Sequence, residues 1–528
     1  MISARFKWCE DEFMNVKSRT HNAVHTAFSS SMRVLISVFL TFFSRTLFIY
    51  YLGAEYLALN GLFTNVLSVL SLADLGIGSA IVFFLYKPIA DNDNKKIAVL
   101  LHFYKRCYRL IGSIILCLGL LLIPFLKYLV NFDTDVDINL YAVYILFLLT
   151  SAASYLLFAY KQSLLMADQK GYVVENVTSV FSILNALSDL IILVFWRNYI
   201  LYLVARLALV LIKNVVIGFI VDKSYTDLPK VNDSKLTQNE KNEFYHSLYN
   251  ISIFNVGDRL INSTDNIIIS AFLGTILVGY YSNYYMIIIQ LRAGYSAIMK
   301  SFQAGIGNVI ATNSSNKYQT YKRLSLINHF LGTLCTVELI QVFNSFIYIW
   351  IGKNNSSYLL SQTIVCIIAL NFYYDNSTWI LNMFREANGD FKVGRYISLI
   401  AGVVNIIVSI IFAIHWGLTG VLLGTIVAKY LVAVYPFVTG IGNKSLNGRG
   451  TQMLIEYWVH FGVMVFIALV SWFGCRWIHL NGTIAGFIAE GVLCAVIVSI
   501  CFVFIYGRTD EFKYIASKIM TTLKRNNN

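Results

Sequence analysis

Two long apolar runs between residues 41 and 88, joined by a tight turn at 52–55, constrain the fold of this chain most strongly. Each run is apolar all round, so neither can form a surface helix of a soluble protein. Arg45 lies inside the first run and Asp74 inside the second. Because a charge in such a run is costly, it usually faces a cavity or another helix. The stretch therefore predicts membrane-spanning helices that carry a few buried charges.

The remainder of the chain repeats this pattern. Of its 528 residues, 57% are hydrophobic and only 13% are charged, whereas soluble domains carry roughly 25% charged residues. We expect an all-α polytopic membrane protein with about fourteen transmembrane helices, because runs near the ~20 residues that cross a bilayer recur throughout. The predicted spans are 33–51, 58–86, 107–130, 139–160, 172–196, 200–221, 247–272, 278–299, 324–349, 358–384, 397–414, 418–438, 456–474 and 483–506.

Lysine and arginine are distributed unevenly between alternate connections. The two ends and the basic connections, such as 385–395, hold 32 of the 41 Lys and Arg residues, against four on the other side. Positive charge marks the cytoplasmic side, so both termini are expected in the cytoplasm. This distribution also accounts for the net charge of +13. Nucleic-acid binding is not expected, because the sequence has no basic patch interleaved with stacking aromatic residues.

A weak internal repeat divides the chain. Residues 51–63 resemble residues 272–285 at an offset of 221 residues, each at the turn after the first span of a six-span set. An even number of spans gives both sets the same orientation, which predicts a parallel repeat of two six-helix bundles. The expected parts are a cytoplasmic leader (1–32), an N-terminal bundle (33–221), a cytoplasmic linker (222–246), a C-terminal bundle (247–438), two extra transmembrane helices (456–506) and a cytoplasmic tail (507–528).

Residues 44–46, together with residues 50–88, resemble the bacterial polysaccharide (O-antigen type) flippases of the multidrug/oligosaccharidyl-lipid/polysaccharide exporter superfamily. The resemblance implies two six-helix bundles followed by two extra helices in the bacterial inner membrane. It implies translocation of undecaprenyl-pyrophosphate-linked oligosaccharide to the outer leaflet by alternating access, for surface polysaccharide such as lipopolysaccharide O-antigen. The implied partners are this substrate, membrane lipid, and the polymerase and glycosyltransferases of the same pathway.

Basic residues inside predicted spans are the first candidates for substrate binding. A guanidinium stays charged and grips phosphate oxygens bidentately, which suits a pyrophosphate crossing a low-dielectric region. The alternative is that these residues pair with buried acids and lock helices together. We expect a role in the substrate cavity foremost for Arg45, Arg206 and Arg292, and also consider Arg259 and Lys429.

Acidic residues inside the spans are candidates for coupling to a cation or a proton. Asp265 has hydroxyl and amide neighbours within 262–270 that could help to bind a cation or proton, although ordinary hydrogen bonding between helices is the simpler explanation. Asp74 precedes the small residues 75–80, which also fit close helix packing. Asp258 is adjacent to Arg259, and each needs another partner because neighbouring residues on a helix point in different directions.

Three tyrosines after the turn at 273–277 are candidates for stacking on sugar rings. Aromatic faces bury the apolar faces of pyranoses, whereas a belt of tyrosines at the membrane interface is the simpler explanation. The candidates are Tyr281, Tyr284 and Tyr285.

Metal, cofactor and enzyme sites are not expected. The eight cysteines form no CxxC or Cys/His cluster with zinc spacing. His329 and His415 lack nearby ligand partners and are expected to be packing or interface residues. A polymerase or glycosyltransferase needs a catalytic site, but the predicted outer connections are only a few residues long. A multidrug exporter of the same superfamily is the closer alternative, although five basic residues within spans suit an anionic glycolipid better.

Overall fold

The computed structural model contains helices as its only regular elements within the residues that it describes. These residues are 36–70, 81–82, 84–85, 88–89, 91–130, 139–157, 159–168, 170–229, 237–300, 302, 306, 309–310, 316–353, 355–388, 390, 392–446, 448–475 and 483–526. The predicted all-α class is confirmed for this part of the chain. The predicted leader and Asp74 lie outside the described residues.

Eighteen helices in the described residues carry the architecture. They are α1 (Ile36–Leu52), α2 (Ala54–Leu70), α3 (Asn94–Leu122), α4 (Leu140–Leu156), α5 (Ala159–Ala167), α6 (Gly171–Phe195), α7 (Tyr199–Ser224), α8 (Gln238–Ser263), α9 (Asp265–Leu273), α10 (Thr275–Lys300), α11 (Lys317–Ile347), α12 (Gln362–Ser377), α13 (Trp379–Ala387), α14 (Arg395–Ile426), α15 (Val434–Ser445), α16 (Gly450–Cys475), α17 (Ile484–Tyr506) and α18 (Asp510–Asn526).

Eight helical runs in the described part of the chain are long and apolar enough to cross a membrane. A ninth is obtained if the pair formed by α4 and α5, bent by 49°, counts as one span. These runs agree with a polytopic membrane protein, whereas the number of about fourteen spans stays a prediction.

The run Arg395–Ser445 explains part of the difference in span number. It is 51 residues long and covers two predicted spans, 397–414 and 418–438. Gly417 interrupts it with φ 57° and ψ −137°, a conformation that ends regular α-helix. At about 1.5 Å per residue the run far exceeds the ~30 Å of a bilayer core, so it is long enough for two crossings.

The two segments of the sequence repeat have the same local structure. Gly53 separates α1 from α2, and Gly274 separates α9 from α10. Both glycines have positive φ, +89° and +101°, where a Cβ atom would be strained. The repeated Leu-Gly therefore encodes a helix–glycine–helix corner at both places.

The chain divides into two compact units. The first contains α1, α3 to α7 and the first half of α8. The second contains most of α2, the second half of α8, and α9 to α18. The predicted division into two six-helix bundles and two extra helices stays a prediction.

Close helix contact in the second unit positions the candidate site. A Cβ atom on Gly257 of α8 would lie 2.2 Å from the carbonyl carbon of Ser398 in α14, so only glycine fits this crossing. Gly402 of α14 faces α8 in turn, and a Cβ atom there would lie 3.0 Å from the Gly257 carbonyl oxygen. Small residues permit such approach between membrane helices. The crossing carries Asp258 and Asn262, which follow Gly257 on α8, to the wall of an internal cavity.

Candidate functional site

A cavity of about 480 Å³ lies inside the second unit and is lined by residues of α8, α10, α12, α13, α14, α15 and the π-helical segment between the last two. Most of its charged side chains come from different helices, so tertiary packing brings them together. Four are cationic and three are acidic: Arg292, Lys300, Arg385, Lys429, Asp258, Asp375 and Glu386.

Asp375 of α12 joins two of these cations. Its carboxylate pairs with Arg292 of α10 through Oδ2 and with Lys429 through Oδ1, the Lys429 Nζ lying 2.8 Å away. One carboxylate thus neutralises part of the charge of two cations. This shared pairing leaves the Arg292 and Lys429 side chains in the cavity wall but already occupied.

Lys429 reaches the cavity because of a change in helix geometry. Residues Val427–Ala433 form a π-helical segment between α14 and α15, and Lys429 lies in it. Such segments shift the direction of side chains and are frequent at functional sites. Lys429 Nζ also lies 3.5 Å from Asn262 Oδ1 and 5.5 Å from the centre of the Tyr374 ring.

Asp258 and Arg259 point in different directions, as their adjacency on a helix requires. Asp258 lines the cavity and accepts a hydrogen bond from Asn262 Nδ2 at 3.1 Å. The Arg259 guanidinium instead donates to the hydroxyl of Ser68 at 3.1 Å. Ser68 lies 3.3 Å from the Ser263 hydroxyl. Arg259 therefore sits outside the cavity lining.

Arg385 is the cavity cation that the sequence did not single out. It lies in the last turn of α13 and is 4% exposed. Its guanidinium lies 3.9 Å from the centre of the Phe254 ring, and its Nη1 donates to the Val393 carbonyl at 3.3 Å. From sequence it counted among the basic residues of the connection 385–395, because it stands at the end of an apolar run.

Asp265 lies in an oxygen-rich cluster at the break between α8 and α9. Its carboxylate accepts a hydrogen bond from the Thr425 hydroxyl at 3.2 Å, and that hydroxyl accepts one from Asn405 Nδ2 at 2.8 Å. Thr264 donates to Asn405 Oδ1 at 3.2 Å. The described residues contain no group of three or more His, Cys, Asp or Glu side chains arranged for a metal ion. A coupling role for Asp265 stays a prediction.

Two of the predicted cavity arginines lie in the first unit. Arg206 Nη2 pairs with Asp189 Oδ2 at 2.8 Å, and the Arg206 guanidinium lies 4.7 Å from the centre of the Tyr202 ring. This ion pair joins α6 to α7, and it is the structural alternative to substrate binding that the sequence also allows for Arg206. Arg45 is half-buried on α1. Roles for Arg45 and Arg206 in substrate binding stay predictions.

The three candidate tyrosines on α10 do not line the cavity. Tyr284 is fully buried, donates to Asn344 Oδ1 at 2.6 Å and accepts from the Leu360 amide at 3.0 Å. The rings of Tyr281 and Tyr285 stack with centres 6.0 Å apart. In this structure the Tyr284 ring packs inside the protein, and sugar stacking by these residues stays a prediction.

His329 has partners that the sequence does not suggest. Its ring stacks on that of His460 with centres 4.4 Å apart, and its Nδ1 lies 3.1 Å from the Tyr373 hydroxyl. The sequence does not indicate this contact, because His460 is 131 residues away and lies on another helix. Its expected role in packing agrees with this burial.

No protein-family model and no curated protein matches the chain. Solved transporter structures are nevertheless similar to it. For "Lipid II flippase MurJ, inward closed conformation" the TM-score is 0.63 at 17% identity, over 90% of this chain and 98% of that one. For a multidrug resistance MATE family transporter of the MOP superfamily, in an inward-facing conformation, the TM-score is 0.59 at 14% identity, over 81% of this chain and 98% of that one. For a MOP superfamily transporter from Pyrococcus furiosus, described as having a binding pocket of reverse polarity, the TM-score is 0.55 at 14% identity, over 82% of this chain and 96% of that one. The chain shares the fold of these transporters.

Proposed function

We propose that this protein is a flippase that moves an undecaprenyl-pyrophosphate-linked oligosaccharide from the cytoplasmic to the outer leaflet of the bacterial inner membrane. Its shared fold with a lipid II flippase and with MATE transporters supports a transport function. The observation that carries the substrate class is the set of cationic side chains around the cavity of the second unit.

The charge arrangement favours an anionic substrate. Arg292 and Lys429 share one carboxylate, and Arg385 adds a guanidinium that forms no ion pair with a carboxylate of the described residues. Guanidinium and ammonium groups stabilise phosphate oxygens strongly in a site that excludes water. Asp375 is already bonded to two cations, so it is poorly placed to bind a cationic drug.

A multidrug exporter is the second candidate. It is supported by the similarity to MATE transporters and by Asp258 and Glu386, which also line the cavity. A cationic drug would need these two carboxylates as its partners, because Asp375 is occupied.

Transport by the purified protein separates the two candidates. Proteoliposomes would contain fluorescent undecaprenyl-diphosphate-linked sugar, and a membrane-impermeant quencher would report its movement between leaflets. We expect movement of this lipid and no efflux of the cationic dye ethidium from the same vesicles. Ethidium efflux without lipid movement would exclude the flippase and favour the exporter.

In cells, deletion of the gene is expected to cause lipid-linked repeat units to accumulate on the cytoplasmic face of the membrane.

We also propose that both termini lie in the cytoplasm and that the pathway's polymerase and glycosyltransferases act beside the protein. Cysteines at Asn94 and Asn232 should then react only from the cytoplasm, and a cysteine at Asn355 from outside. External labelling at Asn232 would contradict this topology.

A further inference from the structure

Arg385 differs from Arg292 and Lys429, two other cations of the cavity, in its partners. Arg292 and Lys429 both pair with Asp375. Among the residues that the structure describes, Arg385 has no carboxylate within ion-pair distance, although it is 4% exposed. Glu386 and Asp258 act on this guanidinium electrostatically, but neither forms an ion pair with it. A buried charge without a direct ion pair is unfavourable, so its retention points to an anion that the protein binds in another step of its cycle.

The nearest acids along the chain are not available to Arg385. Asp390, which follows in the same loop, accepts a hydrogen bond from the Ser445 hydroxyl at 2.6 Å and pairs with Lys444 at 3.0 Å. Glu386 and Asp258 line the same cavity and act on the Arg385 guanidinium electrostatically, but neither forms an ion pair with it. Among the described residues, Arg292 and Lys429 therefore have a directly paired carboxylate and Arg385 does not.

The contacts that Arg385 does make hold it in place without neutralising it. Its guanidinium lies between the rings of Phe254 and Phe437, at 3.9 and 5.7 Å from their centres. Nη1 donates to the Val393 carbonyl, and Nε has no hydrogen-bond partner. Ring faces attract a cation without using its N–H donors, so these contacts leave N–H donors of the guanidinium unused.

Gly394 permits this packing. It has φ +90°, and a Cβ atom there would lie 2.9 Å from the Phe437 ring and 3.3 Å from Arg385 Nη1. A glycine thus allows the loop to close over the guanidinium while Phe437 stays against it. The two aromatic rings and the loop therefore pack together around the Arg385 guanidinium.

We propose that Arg385, together with Lys300 in the lining of the same cavity, forms a subsite for a diphosphate oxyanion. Under the proposed function, on which this assignment rests, the anion is the diphosphate of the lipid-linked saccharide. Asn382, Thr378 and Ser398 line the same cavity and carry hydrogen-bonding groups suited to phosphate oxygens. Because Asp375 occupies Arg292 and Lys429, Arg385 is the cavity guanidinium that an entering diphosphate meets without a directly paired carboxylate.

Binding to the full-length protein in phosphatidylcholine nanodiscs tests this subsite. The probes are undecaprenyl diphosphate, the uncharged undecaprenol, inorganic pyrophosphate and phosphatidylglycerol. We expect wild-type protein to bind undecaprenyl diphosphate at least tenfold more tightly than undecaprenol. Arg385→Gln should remove at least tenfold of that affinity and leave undecaprenol binding unchanged. Arg385→Lys should retain part of the affinity, because it keeps the charge but loses the planar fork.

Lys392→Gln is the matched control, since Lys392 is an exposed cation in the same loop, and it should bind as wild type does. Loss of inorganic pyrophosphate binding in Arg385→Gln would show that the subsite also takes the free anion. An equal Arg385 dependence for phosphatidylglycerol would overturn the assignment to diphosphate.

Two further outcomes separate this inference from the proposed function. If wild type prefers the diphosphate and Arg385→Gln binds it equally well, the subsite is refuted and the flippase proposal stands. If wild type does not distinguish undecaprenyl diphosphate from undecaprenol, the flippase proposal fails as well.

Thermal unfolding provides a control for folding: without ligand, Arg385→Gln should unfold at or above the wild-type temperature. Loss of folded protein in this variant would show that the guanidinium is a structural requirement and would overturn the subsite.

Discussion

Removing the charge of Asp375 should strengthen anion binding while slowing transport. In the structure this carboxylate bonds both Arg292 and Lys429, so an anionic substrate must displace it before either cation can bind phosphate oxygens. Asp375→Asn keeps the shape of the side chain and removes the negative charge that competes with an anionic substrate for these two cations. The lining would then carry four cations against two carboxylates instead of three.

The size of the effect follows from the bonds that compete. A hydrogen bond to a charged group contributes about 1.5–3 kcal/mol. If the substrate no longer has to displace one such bond, its dissociation constant falls about 10- to 150-fold. The empty protein should lose a similar amount of stability, about 1–3 kcal/mol. Asp258 limits this loss because it remains as a carboxylate in the same cavity.

The assay measures binding of undecaprenyl diphosphate to purified protein and its movement in proteoliposomes. Tighter binding with slower movement is expected, because release from a more positive cavity is slower. Asp227→Asn removes an exposed carboxylate elsewhere in the chain and serves as the control. A folded Asp375→Asn protein that binds the diphosphate as wild type does, or more weakly, would refute displacement of Asp375 by substrate.

Three further predictions concern other charged pairs. Arg206→Gln should destabilise the protein by about 3 kcal/mol because it strands Asp189, whose side chain is 2% exposed; thermal unfolding should show recovery in the double variant with Asp189→Asn, and no recovery would argue against a structural pair. Asp265→Asn should lower transport at least tenfold and abolish its response to a sodium or proton gradient, and an unchanged response in vesicles would exclude coupling through this carboxylate. Burial raises the pKa of Glu511, but the hydrogen bond and charge of Lys322 outweigh burial and hold that pKa below its ordinary value. The pair therefore stabilises α18 docking above the unfolded-state pKa and loses this effect as pH falls through the folded-state pKa; hydrogen exchange of α18 should rise in acid, and Glu511→Gln should remove that pH dependence.

Hydropathy predicted the helices because an apolar run of bilayer length has no other way to satisfy its backbone in lipid. Helices form most of the described part of each predicted span. For example, α6 (Gly171–Phe195) overlaps the predicted span 172–196, and α17 (Ile484–Tyr506) lies in the predicted span 483–506. The short repeat around Gly53 and Gly274 was also informative, since positive φ at both glycines gives the same corner.

Hydropathy does not reveal interruptions within a run. The predicted span 247–272 contains a break at Thr264, where α8 ends and α9 begins. The π-helical segment Val427–Ala433 likewise leaves the apolar pattern intact. Both irregularities carry polar side chains into the interior, Asp265 in the first case and Lys429 in the second. Their geometry depends on contacts with other helices, which a local pattern does not contain.

The candidate site shows why a charge within an apolar run is an incomplete guide to binding. Arg206 and Arg292 were selected by position in such runs, but the structure gives each an acidic partner, Asp189 or Asp375. Pairing is a tertiary property: Arg292 and Asp375 are 83 residues apart. Arg385 was assigned to a connection because it follows an apolar run, yet it is more deeply buried than its position implied. A cation that the fold buries without a direct ion pair is therefore a stronger binding candidate than one selected by hydropathy, because no carboxylate has to be displaced from it before an anion binds.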